Sequence, residues 1–206
     1  FGTRGDPPSH PELLDWLALD FEASGGSFKS LVRRIVTSAT YRQGSNATRE
    51  LVERDREGRW LTRAPRVRLE IETLRDASLA LGGLLVEKVG GPSVFPPQPE
   101  GVFGSVYSDD AWKPSTGDDA HRRGLYTFWK RSAPYATFAI FDAPSRELAC
   151  TRRPRTDTPL QALATLNDPV FVECATALAR RMEAEGGSTP ESRVRYGFRL
   201  CTGRFP

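Results

Sequence analysis

Arg152-Arg153-Pro154-Arg155-Thr156-Asp157-Thr158-Pro159-Leu160-Gln161-Ala162-Leu163-Ala164-Thr165-Leu166-Asn167-Asp168-Pro169 is the stretch that decides how the chain is read. It holds two helix starts in tandem. Thr158 and Asp168 are each followed by proline. A side-chain oxygen there can cap the first turn, and proline suits the first helical position because its missing N–H has no partner to lose. Leu160, Leu163 and Leu166 recur about one turn apart, which predicts a short helix that buries a leucine stripe. A basic loop, Arg152 to Arg155, leads into it. This is the pattern of a helical protein, and no catalytic motif lies in this stretch or elsewhere.

Outward from that stretch, helical signals dominate. Residues 169–185 carry Val170, Phe171, Cys174, Leu178 and Met182 on one stripe, and Gly186-Gly187 ends the run. Thr189-Pro190 opens a last helix with Val194, Phe198 and Cys201 on one face. Towards the N-terminus, Ser9 is expected to cap a helix over 10–23. Ser27 is expected to cap another over 27–40, with Gly25-Gly26 making the two an αα-hairpin. Residues 43–66 are weakly helical, with Trp60 and Leu61 as expected anchors, and 68–81 reads as a third strong helix. Residues 118–129 fit a helix or a half-buried strand. The aromatic run 135–141 is the best strand candidate. The fold class expected is mainly α: an irregular helical domain with long ordered loops and little or no β-sheet.

Composition bounds the function classes. The 206 residues are 38% hydrophobic and 27% charged, so the chain is globular with a heavily charged shell. Its 29 basic and 26 acidic residues leave a net charge of +3. Such near-balance does not make a phosphate-tracking surface, and no nucleic-acid partner is expected. No run approaches the ~20 apolar residues that span a bilayer. Cys150, Cys174 and Cys201 form no CxxC pair. One disulfide plus one thiol and three free thiols both remain open, and the apolar surroundings of Cys174 favour free thiols.

Five motifs complete the pattern. They are Phe1-Gly2-Thr3-Arg4-Gly5-Asp6-Pro7-Pro8 with His10-Pro11-Glu12-Leu13-Leu14; Ile35-Val36-Thr37-Ser38-Ala39-Thr40-Tyr41-Arg42; Gly90-Gly91-Pro92-Ser93 with Pro96-Pro97-Gln98-Pro99; Trp112 followed by Arg122-Arg123 and Leu125-Tyr126-Thr127-Phe128-Trp129; and Phe141-Asp142-Ala143-Pro144 followed by Thr156-Asp157-Thr158-Pro159-Leu160-Gln161 and Leu166-Asn167-Asp168-Pro169. Together they resemble the planctomycete domain of unknown function that closes large exported proteins beginning with a cytochrome-c-like domain. The resemblance spans nearly the whole chain, with the motifs in the family's order; at Asp157 the family usually has Asn. It implies an extracytoplasmic, multi-domain parent whose other domains are the partners of this one. Residues 1–206 are then a single domain, a truncated fragment of that parent, with a long loop at about 90–117. Haem is expected only in another domain of the parent, and no cofactor in this fragment. The resemblance implies no activity.

Candidate ligand-binding groups fall in three places. Asp109-Asp110 and Asp118-Asp119 flank Trp112, an arrangement that suits acid/base work on a glycosidic bond or stacking on a sugar ring. The aromatic set around Trp112 also includes Tyr107, Tyr126, Trp129 and Tyr135. His121 stands beside the second acidic pair as a conceivable base. Arg152, Arg153 and Arg155 offer guanidinium forks to an anion, or else to carboxylates inside the domain such as Asp142, Glu147, Asp157 or Asp168. Thr158 and Asp168 are read as structural caps. His10 and His121 are the only histidines. Neither has a Cys or carboxylate at ligand spacing, so no metal site is expected. The function these features favour is a non-catalytic interaction or binding module, with carbohydrate as a possible ligand. The alternatives are a polysaccharide-directed hydrolase using the loop carboxylates, and a nucleic-acid-binding module using Arg33, Arg34, Arg152, Arg153 and Arg155.

Overall fold

The computed structural model describes residues 4–99, 101 and 111–206. The chain is mainly helical, 51% helix against about 2% strand, with no sheet among the described residues. The extended pairing consists of two isolated parallel bridges, Val86 with Arg122 and Val94 with Thr127. The chain divides into two compact units, Phe1–Val67 and Arg68–Pro206.

The first unit holds α1 (Pro11–Ala23), α2 (Phe28–Thr37), α3 (Ala39–Arg42) and α4 (Arg49–Arg54). Ser9 was expected to cap α1. Instead His10 occupies the cap position with no side-chain bond to the helix amides, its Nδ1 lying 3.0 Å from Ser9 Oγ, and Pro11 opens the helix. Ser27 caps α2 as read from sequence, through the Ser30 amide. The single helix expected over 27–40 is broken at Ser38, whose extended backbone (ψ 150) ends α2 and whose hydroxyl accepts from the Tyr41 amide to start α3. Trp60 and Leu61 are not anchors: they are 60% and 41% exposed. The anchor of that segment is Asp55, 5% exposed, whose carboxylate accepts from the amides of Arg59 (2.7 Å) and Trp60 (3.0 Å). A carboxylate that collects successive amides tightens a loop that has no apolar core to hold it.

The second unit holds α5 (Ile71–Gly82), α6 (Ala136–Ile140), α7 (Pro159–Asn167), α8 (Pro169–Glu185) and α9 (Pro190–Thr202), with 3-10 turns at Gly117–His121 and Gly124–Tyr126. α5 packs on α8, which also packs on α7 and α9. Two apolar clusters form the core. One joins Ile71, Tyr135, Phe138, Phe141 and Phe171; the other joins Leu79, Val170 and Cys174. Ile71 and Leu79 are fully buried, a burial that contributes about 1.5–3 kcal/mol for each side chain.

Two expectations are corrected here. Residues 135–141 form helix α6, not a strand. Pro134 precedes the run and left-handed Asp142 (φ 62) follows it. With no sheet among the described residues to pair with, the backbone closes on itself, Ala139 N donating to Tyr135 O and Phe141 N to Thr137 O. The leucine stripe of α7 is not buried: Leu160, Leu163 and Leu166 are 57%, 55% and 72% exposed. The opposite face turns inward, with Gln161 at 3% and Ala164 partly buried. Residues 118–129, read as helix or strand, are the two 3-10 turns with the bridging residues Arg122 and Thr127. On α9, Val194 (65%) and Phe198 (38%) are exposed and Gly197 is buried against Met182. All three cysteines are free, Cys174 buried and Cys150 and Cys201 exposed.

Candidate functional site

Three arginines build the second unit around its loops. Arg122 is 1% exposed. Its guanidinium donates to the carbonyls of Lys88 (3.1 Å), Gly90 and Pro92 (3.0 Å), and lies 3.8 Å from the ring centroid of Tyr126. The Tyr126 hydroxyl in turn accepts from Gly90 N at 2.8 Å. Gly90 and Gly91 have φ of 78° and 90°, so glycine is what lets this loop fold over the charge. Arg75, 2% exposed, donates to the carbonyls of Ala120 (2.8 Å) and Arg122 (3.1 Å), fixing the segment that presents Arg122. Arg68 donates to the Asp142 carboxylate (2.6 Å) and to Thr156 O (2.8 Å).

Asp142 is the meeting point of two sequence motifs. Besides Arg68 it accepts from the Thr156 amide (2.8 Å) and hydroxyl (2.8 Å). Gln161 donates to Thr156 Oγ1 (2.9 Å) and Ile140 O (3.0 Å) and accepts from Thr158 N (3.2 Å). A buried amide with all these bonds made carries no desolvation penalty of consequence. Thr158 Oγ1 accepts from Gln161 N at 3.4 Å, completing a capping box, and Asp168 accepts from Val170 N at 2.9 Å. Asp168 also accepts from the buried Thr137 hydroxyl.

The basic loop is split in its roles. Arg153 makes a bidentate contact with Glu72 (2.7 and 3.1 Å) and reaches Glu70 at 3.2 Å. These partners differ from the carboxylates named in the sequence reading, since Asp142 is taken by Arg68. Arg155 stands 4.0 Å from Glu70 and is half exposed. Arg152 is exposed. With Cys150, Thr151 and Glu70 they line an open cleft of about 850 Å³.

The other candidate residues are placed separately. Trp112 is partly buried: its ring stacks 5.5 Å from Tyr135 and lies edge-on to Phe95 at 5.1 Å, and its indole N–H donates to Pro96 O at 2.8 Å. Tyr135 OH donates to Pro97 O (2.9 Å), so the proline-rich motif is held by both rings. Asp118 and Asp119 are exposed in the first 3-10 turn. His121 Nε2 lies 3.0 Å from Glu173 Oε1. Asp109, Asp110 and Tyr107 lie outside the described residues. No group of three or more His, Cys, Asp or Glu among the described residues is disposed to hold a metal ion. The sequence reading missed Arg68, Arg75, Arg122 and Glu72, because the partners that fix them lie 30 to 88 residues away.

Burial alone would raise the pKa of Asp142, but the Thr156 donors and Arg68 outweigh it and hold the carboxyl below its ordinary value. For Glu72 burial likewise raises, and Arg153's hydrogen bonds and charge lower it on balance. Both groups have folded pKa values depressed below the unfolded ones. Their stabilisation is therefore present above the unfolded carboxylate range, about pH 4, and is lost as pH falls through the lower folded values. The urea midpoint should fall as pH is taken from 6 to 3, and Asp142→Asn should flatten that fall. An unchanged slope in the variant would assign the acid sensitivity to other groups.

A family model described as PSD1, protein of unknown function (DUF1553), matches residues 1–206. No curated protein and no solved structure matches the chain.

Proposed function

We propose that this chain, which belongs to the PSD1 (DUF1553) family, the planctomycete cytochrome-c-associated domain set, serves as a non-catalytic interaction module within a larger exported protein. Domains of this family occur within multi-domain proteins, and no helix among the described residues is long and apolar enough to cross a membrane. The observation that carries the proposal is the exposed leucine face of α7. Leu160, Leu163 and Leu166 point outward from a helix whose inward side carries Gln161, with its hydrogen bonds made, and Ala164 against the core. Apolar side chains gathered on an outer face mark a surface meant to be covered. The partner is another domain of the parent chain. Any haem then belongs to that other part of the parent, and the location is extracytoplasmic.

The alternatives draw less support. Of the arginines expected to track phosphate, Arg34 pairs with Asp20 at 2.6 Å and Arg153 with Glu72 and Glu70. For hydrolysis, Trp112 is engaged with Tyr135 and Pro96 rather than presented as a bare stacking face. The test is side-chain footprinting of α7 in this chain alone and in a longer protein that contains it. Leu160, Leu163 and Leu166 should be labelled in the first and protected in the second. Equal labelling in both would remove α7 as the contact surface.

A further inference from the structure

We propose that the cleft between the start of α5 and the loop 150–155 binds an acidic sugar, a uronate unit of a polysaccharide. This goes beyond the interaction role assigned to α7 and rests on other residues.

Arg153 forms the fixed wall of the cleft. Its bidentate grip on Glu72 and its contact with Glu70 leave it little freedom to reorient. Arg152 and Arg155 are differently placed. Arg155 reaches a carboxylate only at 4.0 Å and its side chain is 49% exposed; Arg152 is exposed and makes no ion pair among the described residues. These two guanidiniums are available to a ligand, and their planar forks match a carboxylate bidentately.

The charge count limits the ligand. Three arginines line or bound the cleft against two carboxylates, Glu70 in its lining and Glu72 behind Arg153, which leaves one net positive charge. That suits one negative charge per ligand unit. A nucleic-acid backbone, with a charge about every 1.7 Å of duplex, would meet Glu70 as a repulsive group. Glu70 is an acceptor only, which an anion cannot use and a sugar hydroxyl can, and the Thr151 hydroxyl can either accept from a sugar hydroxyl or donate to a carboxylate. Forks for a carboxylate beside acceptors for hydroxyls describe a hydroxylated carboxylate. A cleft of about 850 Å³ has room for one or two such units.

Cys150 provides a reporter, because it is an exposed free thiol in the cleft lining, while Cys201 is an exposed free thiol outside that lining and Cys174 is buried. The experiment is alkylation by iodoacetamide, followed by peptide mass spectrometry, with polygalacturonate, dextran sulfate, inorganic polyphosphate and neutral dextran as separate additions. With polygalacturonate at about ten times its Kd, alkylation of Cys150 should slow about tenfold while Cys201 is unchanged. Neutral dextran should not protect. The Arg152→Gln/Arg155→Gln double variant should lose the protection and keep the wild-type urea unfolding curve. No protection of Cys150, or equal slowing at Cys201, would overturn the proposal. Equal protection by polyphosphate would reduce the cleft to a general anion site and overturn the sugar assignment, and protection by dextran sulfate alone would overturn the carboxylate. None of these results bears on the footprint of α7, so the two readings fail separately.

Discussion

Arg122→Met should destabilise the protein by about 3–5 kcal/mol, because the substitution removes three hydrogen bonds from a buried, charged donor to the carbonyls of the loop 88–92. The wild-type guanidinium satisfies Lys88 O, Gly90 O and Pro92 O at once from a site 1% exposed to solvent. Methionine fills much of the space and preserves contact with the Tyr126 ring, so the loss reports hydrogen bonding rather than volume. A hydrogen bond from a charged donor contributes about 1.5–3 kcal/mol, and part of the loss is offset as the carbonyls reach water when the loop 88–92 loosens. Equilibrium urea unfolding gives the size of the effect. Hydrogen exchange locates it, since the Gly90 amide, bonded to Tyr126 OH in the wild type, should exchange faster. A loss under about 1 kcal/mol would mean that water satisfies these carbonyls already and that Arg122 does not organise the loop.

Asp168→Ala is the second large effect, about 2–4 kcal/mol. Asp168 is 4% exposed and works in two directions. It caps α8 by accepting from Val170 N, and it accepts from the Thr137 hydroxyl of α6, itself buried. The cap is worth about 1 kcal/mol. The rest is the cost of leaving the Thr137 donor unpaired, about 1–3 kcal/mol. Asn at this position keeps a cap oxygen and an acceptor for Thr137, so Asp168→Asn should recover most of the loss. Should Asn prove as harmful as Ala, the carboxylate's charge is the missing element, and the nearby buried Arg75 is the group that would need it. Thermal or urea unfolding of the two variants beside wild type separates these outcomes.

These two residues divide cleanly in how they can be found. Asp168 announces itself, since an acid followed by proline before an apolar run is cap chemistry between residues two or three apart. The same local chemistry made the starts of α2, α7 and α9 readable, and Gly186-Gly187 marks the end of α8. The mainly helical class follows from the same signals. Arg122 announces nothing. Its partners are 30 to 34 residues away, and an arginine in a charged stretch reads as surface until the loop closes over it.

What the sequence determined by itself is therefore what short-range chemistry determines: the helical class, most caps and breaks, and the presence of a polar network somewhere near residues 152–169. Tertiary structure decided orientation and partner. On α7, Leu160, Leu163 and Leu166 share one helical period, and Gln161, Ala164 and Asp168 share another of nearly the same spacing. Periodicity places each set on a face without saying which face turns inward. The polar face won because Ile140 O and Thr156 Oγ1 are there to meet Gln161, and the Thr137 hydroxyl to meet Asp168. Residues 135–141 have strand-like side chains, yet a strand needs a neighbour to bond, and the described residues supply none there, so α6 forms. Arg153 found Glu72 across 81 residues, a pairing that no local pattern encodes, and in doing so left Arg152 and Arg155 at the mouth of the cleft.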